Sequence, residues 1–273
     1  MIKKILSKKI FLASLIFVVL ISLTALFADW IAPYSYDFQD TKALLQGPSA
    51  KHWFGTDRLG RDLFSRILYG AQVSLSVALI SSLIAVLFGS LYGAVAGFSG
   101  GRVDSVLMRI VDVIYCIPDL LVIILISIMI GRGIGGIVIS LSLVSWVNVA
   151  RIMRGEFLRV KHQEFVEAAE MVGAGRMRKI FIHILPQTLN ALLVTATFRI
   201  PQVILAESSL SFLGLGIAPP FSSWGTLANE GWSSLSFYPY LILFPSAAIF
   251  LTILAFNILG ENLRDILDPY FSE

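Results

Sequence analysis

Arg199 and Glu207 are the only ionisable side chains in the apolar run from about Leu189 to Leu213. Charge at membrane depth is costly, so such residues face a protein interior, a water-filled path or another chain, and they are functional candidates by default. Helix neighbours are three and four residues apart, so two residues eight apart do not bond along one helix. Each therefore lines a path or pairs with a neighbouring helix or partner chain. Glu207 stands beside "SSLSFLGLG", near one end of the run, which favours an interhelix role. The second concentration of polar chemistry is "EFVEAAEMVGAGRMRKIFIHILP", Glu164 to Pro186: acids, then bases, then an apolar ending closed by proline. Its "GAGRMRK" lacks the glycine–lysine pair of a GxxxxGK[ST] phosphate loop and follows a helical pattern instead of a strand, so it is not an ATP site of that type. His52, His162, His183 and Cys116 fall in separate segments without metal-ligand spacing. No nucleophile stands in a pattern with a base. The residues point to no catalytic set, no metal and no cofactor bound by this chain; they point to charge placed for position.

The elements that must hold these residues are membrane spans. Hydrophobic residues make up 56% of the 273, charged residues only 14%, and mean hydropathy is +0.81. A soluble domain carries about 25% charged residues. A net charge of +3 is too small to argue for nucleic acid. The fold class expected is an all-α membrane protein with six transmembrane helices. The first apolar run, Ile10 to Ala28, is too long for a signal-peptide core of about 7–15 residues and reads as an uncleaved span. Residues 29–70 are mixed and end in an amphipathic helix from about Asp62, with Leu63, Ile67 and Gly70 on one face. The second span is Val73 to Phe98, where Gly89, Gly93 and Gly97 form a small-residue row suited to close helix packing. The third runs from about Leu107 to Ile130, with Arg109 and Asp112 at its interfacial start and Pro118 kinking it. The fourth, about Ile137 to Ala150, is short and carries Ser140, Ser142, Ser145 and Asn148, which suits a helix buried among others. The fifth holds Arg199, Pro201 and Glu207, the sixth is about Tyr238 to Leu259, and a Gly-, Pro-, Ser- and Trp-rich loop, 214–236, lies between them. The chain divides into a first span with an external region, 1–70, and a five-span core, 71–273.

Six spans put both termini on one side. With the N-terminus inside, the inner segments hold fourteen basic residues and the outer ones six: Lys42, Lys51, Arg58, Arg61, Arg66 and Arg132. That bias fits the positive-inside rule with both termini cytoplasmic. The charged segment, 151–186, is then cytoplasmic. Residues 157–172 read as a helix with Phe165, Ala168 or Ala169, and Val172 on an apolar face. Gly173 suits the left-handed position after its end, and a second helix runs from near Arg176 to near Pro186. On composition alone this is an interfacial helix pair or a docking knob.

The spacing decides between them by resemblance. Glu167-Ala168-Ala169, three residues, Gly173, nine residues, then His183, Ile184 and Leu185-Pro186 resembles the EAA loop of permease subunits of binding-protein-dependent ABC importers. The general pattern has isoleucine where this chain has His183, and "HILP" resembles the dipeptide, oligopeptide and nickel branch. "HWFGTDRLGRDLFSRILYGAQVSL" (52–75), "SLSFLGLGIAPPFSSWG" (209–225) and "LGENLRDILDP" (259–269) resemble other signatures of that branch, in order and across the whole chain. The overall length resembles the second, C-type permease of a pair. The resemblance implies a type I importer fold in a prokaryotic cytoplasmic membrane, with Glu167, Ala168, Ala169, Gly173, His183, Leu185 and Pro186 in the coupling loop. It implies a homologous permease, two cytoplasmic ATPases that bind ATP and magnesium, and an extracytoplasmic solute-binding protein as partners, with loops 29–70 and 214–236 meeting the last. The cargo it implies is a short peptide, with nickel or a nickel chelate the alternative. A stand-alone secondary transporter is the distant rival. It needs its own ion site, for which only Arg199 and Glu207 are available, and such transporters often show internal repeats that this sequence lacks.

Overall fold

The computed structural model describes residues 9–131 and 133–267. Lys3, Lys4, Lys8 and Arg132, used in the sidedness argument, and the end of the 259–269 motif lie outside the described residues. Among the described residues five helices are long and apolar enough to cross a membrane, and one pair bent by 83° meets the same length and hydropathy test only when taken together.

Helix α1 (Lys9–Leu26) is apolar on all sides and mostly exposed, as a lipid-facing span must be. After the short α2 (Ala28–Ile31), residues 32–62 fold as a compact loop. Asp62 ends that loop by capping α3 (Leu63–Ser99): its Oδ2 accepts from the Ser65 N–H at 2.8 Å, while its Oδ1 lies 2.9 Å from His52 Nδ1. The amphipathic helix and the second span expected as separate elements are thus one 37-residue helix, about 55 Å long. Gly70 does not break it, because the Trp224 ring packs where a side chain would stand.

The glycine row does what its spacing implies. Gly89, Gly93 and Gly97 lie directly on the backbone of α6 (Ile134–Lys161). A Cβ on Gly89 would sit 2.6 Å from the Trp146 carbonyl oxygen, and one on Gly97 2.8 Å from that of Arg154. Helix α6 is the central span. Ser140, Ser142 and Ser145 are buried and Asn148 half-buried, as expected of a helix enclosed by others. The Ser140 and Ser142 hydroxyls donate to carbonyls one turn earlier, at 2.6 Å each, so they need no outside partner. The expected end at Ala150 is corrected. Met153, Phe157 and Val160 continue the buried stripe, and the helix runs on to Lys161.

The expected third span is two helices, α4 (Gly101–Tyr115) and α5 (Asp119–Ile130), set at 83° across Pro118. The bend is far larger than a proline kink within one helix. The fifth span is a continuous rod: a turn of α8 (Arg176–Arg178), a π-helical turn over Lys179–Ile184, and α9 (Leu185–Phe212). The expectation that a separate helix closes near Pro186 is corrected. Proline has no N–H for the carbonyl four residues back and its ring crowds it; the wider π turn takes up that misfit and the helix continues. The loop 214–236 contains a helix, α10 (Trp224–Trp232), and the last span, α11 (Tyr240–Leu267), extends well into the tail read as merely polar. One apolar core joins Leu63, Ile67 and Leu75 of α3, Ile137 and Leu141 of α6, Ile204 and Leu210 of α9, and Trp224 of α10.

Candidate functional site: the knob below the spans

Helix α6 carries Arg159 and Lys161 in its last turn, favourably placed against its C-terminal dipole. The Lys161 ammonium also donates to the Phe98 carbonyl at 2.7 Å, tying the end of α6 to the end of α3. The chain then turns through an extended Gln163 into α7 (Glu164–Met171). The helix expected over 157–172 is therefore two: residues 157–161 belong to the span, and only 164–171 form the knob. Glu164 and Glu167 occupy the first turn of α7, where negative charge is stabilised.

The expected apolar face is also corrected. Val166 and Ala169 are the buried residues of α7, and Val166 packs with Met153, Phe157 and Val160 of α6 and with Ile184. Phe165 and Val172 face outward. An eight-residue helix rests on the stripe that fits its stem, and that stripe is one residue out of phase with the most apolar pattern in the sequence.

Gly173 closes α7 as its spacing predicts. It has φ +85°, its N–H donates to the Glu170 carbonyl, and the next N–H, of Ala174, donates to the Ala169 carbonyl, both at 2.9 Å. This double bond pattern around a left-handed residue is a Schellman cap. The returning helical segment is clamped to the knob by Lys179, whose Nζ lies 2.7 Å from Glu170 Oε1. That hydrogen bond and charge hold the Glu170 carboxyl below its usual carboxylate value. Because the shift is downward, the clamp is intact at neutral pH and is released only as pH falls through that lowered value.

The motif residues thus separate by role. Glu167 and Ala168 are exposed on the outer face of α7, and Gly173 forms the tip, flanked by Met171 and Val172 at 90% and 86% exposure and by exposed Met177. Ala169 packs inward. His183 and Leu185 are half-buried and Pro186 exposed at the base, around Ile184, which is the buried anchor. The site is a small helix of acids and alanines with an apolar tip, packed through Val166 on the end of α6 and on Ile184 at the base of the fifth span.

Arg199 and Glu207 do not meet. Glu207 is fully buried: its Oε1 accepts from the Ser211 hydroxyl at 2.7 Å and its Oε2 from the Ser74 hydroxyl at 3.2 Å. Ser74 Oγ in turn accepts from the Trp224 N–H at the start of α10, and Ser223 Oγ donates to Ser211 Oγ. The carboxyl therefore joins α3, α9 and α10. Arg199 is half-buried, with one Nη donating to the Gln202 side chain at 2.8 Å; among the described residues its Nε has no partner.

Residues 85–273 match the model of a family described as the binding-protein-dependent transport system inner membrane component. The chain belongs to this family. It is a permease subunit of the ABC importer class, and the secondary-transporter reading is set aside. Residues 1–48 of the permease also match the N-terminal TM domain of oligopeptide transport permease C. Among its relatives is the oligopeptide transport system permease protein OppC of Bacillus subtilis (strain 168), 41% identical over 263 residues that cover 96% of this chain and 86% of that protein. The dipeptide transport system permease protein DppC of the same strain is 44% identical over 262 residues, 96% and 82% of the two chains. The glutathione transport system permease protein GsiD of Escherichia coli O157:H7 is 43% identical over 255 residues, 93% and 84% of the two chains.

On the opposite face of the permease, the structure brings together residues that sequence reasoning did not single out as a site. Arg66 of α3 is buried with Nη1 at 2.7 Å from Asp57 Oδ2 and 2.6 Å from Glu230 Oε2, and Arg61 bridges the same two carboxylates at 2.7 and 3.1 Å. Arg58 donates to the Ser233 and Ser234 hydroxyls at 2.7 and 2.8 Å. Loop 32–62 is thereby pinned to α10. Ser223 and Thr226 form a capping box at the start of α10, but with Thr226 in place of the usual Glu or Gln only the N-cap serine was a readable sign. The ion cluster was not readable, since Glu230 lies 164 residues from Arg66.

Proposed function

We propose that the permease carries short peptides across the prokaryotic cytoplasmic membrane, driven by ATP hydrolysis on separate ATPase subunits that engage the α7 knob. One observation carries the coupling reading: Glu167, Ala168 and the apolar tip around Gly173 stand exposed on a base locked into α6 and the fifth span. Closure of an ATPase dimer around such a knob moves both spans. The remaining parts follow from the family: a homologous permease, two ATPases that hold ATP and magnesium, and a solute-binding protein that meets the face formed by loop 32–62 and α10. The positive-inside bias supports cytoplasmic termini and a cytoplasmic knob. Arg199, half-buried and without an acidic hydrogen-bond partner among the described residues, is the candidate for the translocation path. Glu207 is the candidate for holding helices together.

The relatives, named for oligopeptide, dipeptide and glutathione transport, support a peptide cargo and give nickel no support. The coupling reading predicts that Glu167→Lys or Gly173→Asp abolishes uptake while insertion and pairing with the partner permease persist. Uptake of labelled dipeptide, with co-purification of the ATPase as the second readout, tests it. Normal recruitment and normal uptake in either variant would end the coupling assignment. Radiolabelled nickel, in cells with and without this subunit, tests the cargo.

A further inference from the structure

Helix α4 has three faces. Asp104 and Val111 turn inward and are buried, while Val103, Val106, Ile110 and Val113 form an apolar stripe that is 48–61% exposed. Arg102 and Arg109, seven residues apart and so on one side of the helix, border that stripe on its other edge; both are exposed and, among the described residues, neither has an acidic partner. A long apolar stripe edged by arginines is the pattern of a helix lying in a membrane surface.

The placement of α4 agrees. It stands at 83° to α5. It also crosses α6 steeply: Asp104 pairs with Arg154 and Asp112 with Arg151, at 2.6 and 2.5 Å, so eight positions along α4 meet three along α6. At 1.5 Å per residue that is about 12 Å against about 4.5 Å. Length decides the depth. The 12 residues of α5 cover about 18 Å of a hydrocarbon core about 30 Å thick. A surface helix seated about 5–10 Å into the headgroup and acyl boundary supplies most of the remainder. With α4 in the plane of the membrane, its stripe reaches acyl chains and its two arginines reach the phosphates above them.

We propose that α4 is a membrane-surface helix whose Val103, Val106, Ile110 and Val113 face lies among acyl chains, and whose Arg102 and Arg109 bind the headgroups of anionic phospholipids of the inner leaflet. The two ion pairs to α6 hold it at that depth. The leaflet assignment rests on the cytoplasmic placement of the knob; lipid contact itself does not.

The test uses the assembled transporter with Cys116→Ser and single cysteines at Val106, Ile110 or Ser105, labelled with a polarity-sensitive fluorophore. It is reconstituted in phosphatidylcholine vesicles with or without phosphatidylglycerol. Labels at 106 and 110 are quenched by an acyl-chain nitroxide and the label at 105 is not. Nitroxide phosphatidylglycerol quenches them better than nitroxide phosphatidylcholine, by about fivefold for each arginine engaged. Arg102→Gln with Arg109→Gln removes that preference and keeps the quenching. Absence of quenching at 106 and 110 overturns the surface helix, and a preference that survives the double substitution overturns the headgroup sites. The readout needs neither ATP nor cargo, so failure of the import reading leaves it standing. Labelling of Ser105→Cys by an impermeant reagent from the outer face overturns the inner-leaflet assignment alone.

Discussion

At Glu207 a carboxyl group is surrounded by the hydroxyls of Ser74 and Ser211, with Ser223 and the Trp224 N–H one bond further out. Removing the carboxyl leaves those donors without an acceptor in a dry interior, at a cost of about 1–3 kcal/mol for each unsatisfied group. Glu207→Leu is therefore expected to lower the melting temperature of the purified complex markedly, and Glu207→Gln, which still accepts, to lower it much less. Equal losses would show that hydrogen bonding is not what the residue contributes. The sequence already favoured a structural role here, from the place of Glu207 beside "SSLSFLGLG" near one end of the run. It did not reveal which serines serve, since Ser74 stands 133 residues away. The knob shows the same division. Gly173 was legible because a left-handed cap has a local signature. The inward face of α7 was not, because what selects Val166 over Phe165 is the shape of the stem beneath it.

At the scale of elements, the spans were legible from hydropathy, and their joins were not. Apolar length marks where a helix can lie in lipid but carries no stop signal of its own. The second span therefore began ten residues too late, and the fourth ended eleven too early. Both extensions are held by contacts outside the bilayer pattern: the Asp62 cap with the Arg66 ion cluster, and the Phe157 and Val160 stripe. The glycine row was read correctly because close approach leaves its mark in residue size. Gly93→Leu is expected to force α3 off α6, since a Cβ there already meets the Arg154 nitrogen and Met153 Cβ at 2.9 Å. Loss of the folded permease from membranes, measured by immunoblot, checks this. Retention at wild-type level with normal uptake would show that the two helices can separate without penalty.

In the whole molecule the permease has two stiff ends. At the end away from the knob, loop 32–62, the start of α3 and α10 are joined by the Arg58, Arg61, Arg66, Asp57 and Glu230 contacts and, deeper, by Glu207 and Trp224. Those parts are expected to move as one body. Bridging Arg58→Cys and Ser234→Cys with a short bismaleimide, in a Cys116→Ser background, should leave peptide uptake close to the unbridged level; strong inhibition would show that this seam opens in the cycle. At the other end the knob follows directly on α6, and α6 runs unbroken from Ile134 to Lys161. A rod of 28 residues is about 42 Å long. Displacing its lower end by about 5 Å about a fixed upper end turns it through roughly 7°, and every residue along it moves in proportion to its distance from the pivot. Ser140 near the fixed end shifts by about a fifth of the stroke, while Arg151 and Arg154, which pair with α4, shift by about two-thirds to three-quarters of it. A helix pivoted in this way acts as a lever: one stroke at the knob is divided into graded strokes along the permease, with α4, held at Arg151 and Arg154, taking about two-thirds to three-quarters of the throw and the far end almost none.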